Sequence, residues 1–304
     1  MISTDRSYSS GQLSPYEHES DDTGFGCNLS NDKLPKSLLC STIPDLLGEL
    51  GELQSISGTT RSWRWVIDQI KSYPREFARQ AETVFIHKDT YISKAPRTIQ
   101  AAFGVCAAYA CMSEANKYML FQTLDAEVLE LLQPAPAITL SEDLSKMQAM
   151  VLYQIIRLFY GGMKERLLAE QQANLLKAWG LQLIQRINTE LPNSPSTWET
   201  WILAESSRRA VLMTFMTYGV YSLINHGVCL ERSTLGILPV YTRMDFWNSP
   251  ALYEEHHRHA KTMKYIEYSD YWLAYPPRAL EPFEKLLVVA CKGLDQVEAR
   301  SPPS

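Results

Sequence analysis

The sequence predicts an all-α protein, an irregular multi-helix array around one extended core with a disordered N-terminal arm. Three observations favour this fold class. From Trp63 to the end of the chain, apolar residues recur mostly at the three- and four-residue spacing of helices. No segment shows the two-residue alternation with hairpin turns that is typical of strands. No convincing fixed-period repeat indicates a regular solenoid.

The first 34 residues are rich in serine, aspartate, glycine and asparagine and have almost no helical periodicity. A segment of this composition buries too little apolar surface to fold, which favours disorder. The sequence therefore predicts a disordered arm over residues 1–40 and a helical domain over residues 41–300. Leucines at helical spacing indicate a first helix near residues 43–53, although Gly48 and Gly51 weaken that prediction.

The first part of the domain is predicted to contain helices separated by a connector. The segment SWRWVIDQIKSYP has an apolar face from Trp63 to Ile70 and is expected to end before Pro74, because proline lacks a backbone N–H. A mixed connector bracketed by prolines follows over residues 74–96. The apolar segment 99–133 is expected to hold two helices, broken near Ser113.

Further helices are delimited by capping and breaking residues. Ser141 is the expected N-cap of a helix that the pair Gly161-Gly162 ends. Leucines at helical spacing predict another helix over residues 163–191, which Pro192 closes. The final helix is expected to run from about Pro282 to Ala299.

One helix carries an unusual charge pattern, in PSTWETWILAESSRRAVLMTF at residues 195–215. Ser196 and Glu199 fit a capping box, in which a hydroxyl and a carboxylate each serve the other residue's backbone N–H. The helix is therefore expected to begin at about Thr197. Trp198 and Trp201 start an apolar stripe that continues through residues 202, 212, 215 and 216.

Extending that stripe through its central gap leads to Glu205, Arg208 and Arg209. Glu205 lies three and four residues before the two arginines, which is the spacing of side chains that meet on one helical face. A buried guanidinium needs a partner, and arginine's planar fork suits a carboxylate. We expect a structural ion pair of Glu205 with Arg208 and Arg209 inside the protein. Contact with DNA or phosphate is the less favoured alternative.

Charge and cysteine usage restrict the function classes. The net charge of −5 and the pI of about 5.8 give no global attraction to nucleic acid. The six cysteines include no Cys-x-x-Cys pair, so a zinc knuckle is not indicated and reduced, buried thiols are expected. The uncharged run 210–230 contains too many polar residues for a membrane span.

Motifs of enzymatic chemistry are absent from the sequence. It contains no G-x-S-x-G, no phosphate-binding glycine loop and no H-E-x-x-H. The segment EEHHRHA at residues 254–260 suggests either a divalent-metal site or a solvated helix surface, and the second interpretation is favoured. His226 is interpreted as a helix C-cap and His87 as a hydrogen-bonded structural histidine. We therefore expect no enzyme, no metal and no cofactor.

The pattern W-x-x-W-x-x-x-E-x-x-R-R, followed by an apolar helix, resembles the regulatory region of fungal zinc-cluster transcription factors, the fungal-specific transcription factor domain. Trp198, Trp201, Glu205, Arg208 and Arg209 occupy the matching positions. The segments 85–91, 99–110, 147–162 and 238–256 are similar to other parts of the same family, in the same order. The resemblance covers roughly residues 60–300.

The resemblance implies a fungal, nuclear transcription regulator, controlling a metabolic or secondary-metabolite biosynthesis gene cluster. The family normally begins with a six-cysteine cluster that binds two zinc ions, and the cysteines of this chain do not have that spacing. We therefore expect no direct DNA binding from this chain. Protein partners are expected instead, either from the transcription machinery or a DNA-binding co-regulator. A shortened gene product and a DNA-binding exon missing from the gene model are the other two explanations.

Two alternative functions remain open at this point. A small-molecule-sensing module would bind an apolar metabolite among aromatic residues, which we take to be Trp63, Trp65, Trp179 and Trp198. These tryptophans are otherwise interpreted as ordinary core residues. An enzyme of unrecognised type, using His226, Glu205 or the EEHHRHA segment, is the least favoured alternative.

Overall fold

The computed structural model describes residues 60–92, 94–133, 139–191, 197–275, 277 and 280–300. Over these ranges the chain forms eleven α-helices and one small two-stranded sheet, which confirms the all-α prediction. The predicted arm over residues 1–40 and the predicted helix near residues 43–53 lie outside the described residues.

Helix α1 spans Thr60–Gln80, so the prediction that it ends before Pro74 is wrong. A proline inside a helix removes one hydrogen bond and costs about 3 kcal/mol. Here the apolar stripe continues past it, with Tyr73 and Phe77 as fully buried as Val66. Burial of those two rings offsets the local cost, and tertiary packing therefore overrides the helix-breaking residue.

The predicted connector is shorter than expected. After α1, Thr83 and Ile86 form an isolated bridge, and a 3-10 turn follows at Lys88–Tyr91. Helices α2 (Arg97–Ala110) and α3 (Lys117–Leu131) then confirm the two helices predicted on either side of Ser113.

Helix α4 spans Leu140–Tyr160, and its N-cap is Thr139 rather than the predicted Ser141. The Thr139 hydroxyl accepts from the Glu142 N–H, and the Glu142 carboxylate accepts from the Thr139 N–H. This reciprocal capping box fixes the helix start two residues earlier than predicted. The helix ends before Gly161, as predicted, and helix α5 (Met163–Glu190) begins two residues later.

Helix α6 spans Trp198–His226 and is buried almost continuously from Trp201 to Val220. Its N-cap is Thr197, whose hydroxyl accepts from the Thr200 N–H, one residue later than the predicted cap. Ser196 lies outside the described residues. Within the described part of the chain, no helix is long and apolar enough to cross a membrane.

The C-terminal part contains short elements that the sequence pattern did not predict. Helix α7 (Arg232–Ile237), strand β1 (Pro239–Tyr241), a 3-10 turn (Met244–Asn248) and helix α8 (Pro250–His256) lead to strand β2 (Thr262–Lys264). The strands pair antiparallel, with Pro239 opposite Lys264 and Tyr241 opposite Thr262. Three residues are too few to show alternation.

The final three helices are α9 (Tyr265–Ala274), α10 (Pro282–Lys292) and α11 (Leu294–Arg300). The single final helix predicted from Pro282 to Ala299 is therefore wrong. Gly293 separates α10 from α11 with a φ of 89°, a conformation that favours glycine.

Helices α4, α5 and α6 pack on one another at the centre, and α1, α2 and α3 cover one side of them. Within the core, which was predicted to be one extended unit, the buried apolar residues form two clusters of unequal size. The larger part joins most helices, and the smaller is an aromatic cluster. We use "aromatic cluster" for Trp201, Ile202, Tyr241, Phe246, Trp247 and Tyr253. The loop after β1 folds back over the start of α6 and creates this second core.

The first and last described helices contact each other. The Arg61 guanidinium pairs with Asp295 and Glu298 at 2.8 Å each, and these residues lie 234 and 237 positions further along the chain. The Leu294 N–H donates to the Ser62 hydroxyl at 2.8 Å. Helix α1 therefore packs partly against α10 and α11.

Candidate functional site

Glu205, Arg208 and Arg209 meet on the buried face of α6. The Nε atoms of Arg208 and Arg209 each donate to a different oxygen of the Glu205 carboxylate, both at 2.9 Å. Glu205 is 2% exposed and Arg209 is completely buried. Both arginines therefore point into the protein and are not available to a phosphate backbone.

Arg209 also joins segments that are distant in sequence. Its Nη1 donates to the Val84 carbonyl at 3.0 Å and to the Glu281 carboxylate at 3.1 Å. Its guanidinium carbon lies 3.9 Å from the ring centre of Trp247 and 4.7 Å from that of Phe283. Stacking of this kind favours a planar, weakly hydrated cation.

Glu281 has two roles. Its Oε1 accepts from Arg209, and its Oε2 accepts from the backbone N–H groups of Phe283 and Glu284 as the N-cap of α10. The position of α10 is therefore tied to the α6 guanidinium through one carboxylate. We call Glu205, Arg208, Arg209 and Glu281 the arginine cluster. Its formal charges, two negative and two positive, cancel.

Trp198 and Trp201 lie at the start of α6, against the aromatic cluster. The Trp198 indole N–H donates to the Phe246 carbonyl at 3.1 Å. The Trp201 ring is fully buried and lies 5.4–5.8 Å from the rings of Tyr241, Phe246 and Tyr253. These aromatic contacts cover one side of the arginine cluster, since Trp247 belongs to the same group of rings.

His87 connects this region to the segment after α1. Its ring lies between Trp198 and Trp247, at 5.2 and 4.8 Å from their ring centres. Its Nε2 is within 2.9 Å of the Trp247 carbonyl, and its Nδ1 accepts from the Asp89 N–H at 3.2 Å. This pattern requires the neutral tautomer with the proton on Nε2. Burial lowers the pKa of His87.

Glu284 lies on α10 close to the arginine cluster. Burial raises its pKa, although a hydrogen bond from the Tyr268 hydroxyl partly opposes that effect. The pKa of Glu284 is therefore raised, whereas the pKa of His87 is lowered.

A second buried arginine, Arg157 on α4, was missed in the sequence analysis. Its Nη2 donates to Asp125 on α3 at 2.5 Å, and its Nη1 donates to Gln172 on α5 at 2.8 Å. Its Nε lies 3.7 Å from the Glu165 carboxylate. The available signal was an isolated basic residue within the apolar segment 147–160.

The four tryptophans proposed as ligand-lining residues are not brought together. Trp63 lines a cavity beside α6, whereas Trp65 lines a different surface groove and lies under the Lys285 ammonium. Trp179 lines a third groove on α5, where Lys146 covers its ring. Trp198 contacts the aromatic cluster. Helical spacing predicts which face a residue occupies but not its neighbours from other elements.

The histidines of EEHHRHA do not form a metal-binding group. His257 stacks on Tyr253 at 4.9 Å, and its Nδ1 lies 2.9 Å from the Tyr253 carbonyl. Among the described residues, no group of three or more potential ligands lies together. His226 is exposed, and the helix C-cap assigned to it is instead formed by Gly227, whose N–H donates to the Leu223 carbonyl.

Comparison with known proteins gives one informative similarity. The chain is 33% identical over 168 residues to a curated relative named "Transcription factor gsfR2", from Penicillium aethiopicum. The match covers 51% of this chain and 40% of the relative, so the chain aligns with less than half the relative's length. No family model matches the chain. No solved structure matches it.

Proposed function

We propose that this chain is a fungal transcription regulator that acts through a helical regulatory domain. The observation that carries this proposal is its 33% identity over 168 residues to a protein named as a transcription factor. The motif of two tryptophans, a glutamate and two arginines on α6 also supports it. No motif of enzymatic chemistry competes with this assignment.

The buried arginines and the cysteine spacing favour indirect recruitment of this chain to DNA. A helix that reads DNA needs exposed basic side chains. In α6, Arg209 is fully buried, Arg208 is nearly so, and both are paired with Glu205. The 304 residues also lack the cysteine spacing of a six-cysteine zinc cluster. We propose that this chain reaches promoters in the nucleus through protein partners, which are a DNA-binding co-regulator or components of the transcription machinery.

The experiment tethers the chain to a heterologous DNA-binding module and measures a reporter gene. We expect the fusion to change reporter output relative to the module alone. Arg209→Ala should abolish the change by disrupting the domain, whereas Arg258→Ala, at an exposed arginine, should leave it intact. A stably expressed fusion that behaves like the module alone would contradict the regulatory role.

Direct DNA binding is tested separately with the purified chain. We expect no sequence-specific mobility shift on a promoter fragment at physiological salt, because the chain is acidic and its paired arginines are internal. A tight shift that survives competitor DNA would replace the partner route with direct recognition, while leaving the regulatory role in place.

The family resemblance further suggests that the targets form a metabolic or secondary-metabolite gene cluster. Deleting the gene in its fungal host and sequencing the transcripts would test this. A contiguous set of biosynthetic genes should change expression together. Scattered changes of unrelated genes would instead assign the regulator a different target class.

A further inference from the structure

The outward side of α5 is uncharged over about five turns. Nine residues between positions 171 and 189 are exposed, and all nine are uncharged. By contrast, five of the six exposed residues between Arg61 and Gln80 on α1 are charged. We use "uncharged face" for these nine residues of α5: Gln171, Asn174, Leu175, Ala178, Leu181, Gln182, Gln185, Asn188 and Thr189.

Two charged residues of the same range lie at the edges of the uncharged face and pair within the chain. The Lys177 ammonium lies 2.8 Å from the Glu231 carboxylate, and the Arg186 guanidinium pairs with Asp143 and Glu190. A helix side that faces solvent normally carries charges. Depletion of charge, more than high hydrophobicity, distinguishes the centre of a protein–protein interface. The uncharged face therefore has the composition of an interface.

The order of residues on this face is the same in both directions from Ala178. A leucine lies three residues from it on each side, and an amide lies four and seven residues from it on each side. These pairs are Leu175 and Leu181, Asn174 and Gln182, and Gln171 and Gln185. An interface about a two-fold axis requires a patch that is complementary to itself. A symmetric helix face meets this requirement when the two copies of the helix run antiparallel.

We infer that two copies of this chain associate through their uncharged faces, with the α5 helices antiparallel about a two-fold axis at Ala178. Each amide then lies at the level of an amide of the second copy, and each leucine at the level of a leucine. An amide side chain both donates and accepts hydrogen bonds, so amides can pair with one another. Each chain carries a net charge of −5, and the uncharged face adds no local repulsion to their approach.

A groove beside the uncharged face allows the two helices to interlock. It lies between α4 and α5, has a volume of about 390 Å³, and is lined on α5 by Leu175, Trp179 and Gln182. Packed helices place side chains of one into depressions on the other. The two-fold axis keeps Leu175 of the second copy on the groove side of the contact, where its side chain can enter the groove.

Sedimentation equilibrium of the purified full chain tests the association. We expect the average mass to rise from 34.6 kDa towards twice that value as the concentration increases through the micromolar range. A mass that stays at 34.6 kDa at every concentration would overturn the inference.

A charge at the axis tests where the two copies meet. Ala178→Lys brings two like charges together and should weaken association at least tenfold. Ala126→Lys, at an exposed alanine in the middle of α3, is the matched control and should associate like the wild type. A mixture of Ala178→Lys and Ala178→Glu should associate more tightly than either variant alone. Unchanged association of a folded Ala178→Lys would place the contact elsewhere and overturn the inference.

Two double variants test the antiparallel direction. Positions 171 and 185 lie about 21 Å apart on one helix, so charges there interact little within a chain. In Gln171→Lys/Gln185→Glu, each lysine meets a glutamate of the second copy, and association should be at least as tight as in wild type. In Gln171→Lys/Gln185→Lys, like charges meet, and association should weaken at least tenfold.

Equal weakening of the two double variants would show that the helices do not run antiparallel, and it would overturn the proposed arrangement. All substituted positions are exposed, so the melting temperatures of the variants should match that of wild type at low concentration. None of these measurements involves DNA or a reporter gene, so their failure would leave the proposed transcriptional role in place.

Discussion

The two buried arginines, Arg209 on α6 and Arg157 on α4, have different kinds of surroundings. Arg209 contacts Glu205 on its own helix and two acceptors that are distant in sequence, at Val84 and Glu281, and it lies between two aromatic rings. Arg157 contacts residues of the two neighbouring helices. Its main carboxylate, Asp125, is 25% exposed and is shared with the solvated Lys164.

The two sites differ in whether their carboxylates still have a cation or water as a partner after the arginine is removed. Without Arg209, the buried carboxylate of Glu281 would lose the cation that pairs with it in the described part of the chain, whereas Glu205 would keep its pair with Arg208. Without Arg157, Asp125 would still have Lys164 and water. A buried charge left without a partner is more damaging than one that water can reach. Equal burial of two arginines therefore does not imply equal importance.

The largest expected effect is that of Arg209→Ala. Loss of the cation should lower the free energy of unfolding by about 3–5 kcal/mol, because buried carboxylates lose their partner. Chemical denaturation followed by circular dichroism measures this. Arg208→Ala, which leaves the Glu205–Arg209 pair intact, should cost less. Identical unfolding midpoints for Arg209→Ala and wild type would show that the cluster adds no stability.

Arg157→Ala should have a smaller effect, about 2–3 kcal/mol, since part of its site is open to water. The same denaturation assay applies. A double-mutant cycle with Asp125→Asn isolates the pair from the other changes. If Arg157→Ala proved as damaging as Arg209→Ala, the proposed importance of solvent access would be wrong.

Gly161→Ala tests the tight turn that brings Arg157 and Glu165 together. A Cβ there would lie 2.4 Å from both the Arg157 carbonyl oxygen and the Glu165 Cβ, so the backbone must shift. We expect a loss of about 1–3 kcal/mol, as for other overpacked sites. Gly162→Ala, with nothing within 4 Å, is the matched control and should be close to neutral. Equal effects of both changes would rule out the close approach as the cause.

The smallest expected effect is on pH dependence near the arginine cluster. Because burial lowers the folded-state pKa of His87, its contribution is present above pH 6.5 and is lost as pH falls through the folded pKa. The raised pKa of Glu284 acts in the opposite direction, because its contribution is lost as pH rises through the folded pKa. The melting temperature should therefore fall less between pH 7 and pH 5 in His87→Gln than in wild type. Parallel curves would exclude His87 as the titrating group.

Short-range features were the most predictable from the sequence. The spacing of Glu205, Arg208 and Arg209 indicates which side chains can meet, because one helix fixes their separation. The helix caps were wrong by one or two residues at Ser141 and Ser196, since neighbouring threonines compete with them for the same role. Pro74 was misjudged because ring burial beyond it outweighs the local cost.

Long-range partners could not be predicted. Glu281 lies 72 residues after Arg209. The sequence around Glu281 indicates a helix cap, and a cap gives no sign of a contact with a distant arginine. The separation of Trp63, Trp65, Trp179 and Trp198 depends on how helices cross, which periodicity does not encode. Arg157 is different, since an isolated arginine within an apolar helical segment by itself indicates a buried cation that needs a partner.

The contact between α1 and α11 also affects the order in which the protein folds. Arg61 and Asp295 are 234 residues apart. At about 5–20 residues per second, a ribosome needs roughly 10–50 seconds to synthesise that interval. During this time α1 can pack on α2 and α4, but the surface that later contacts α10 and α11 stays uncovered. The nascent chain therefore exposes this uncovered surface of α1 to chaperones until its last helices have been synthesised.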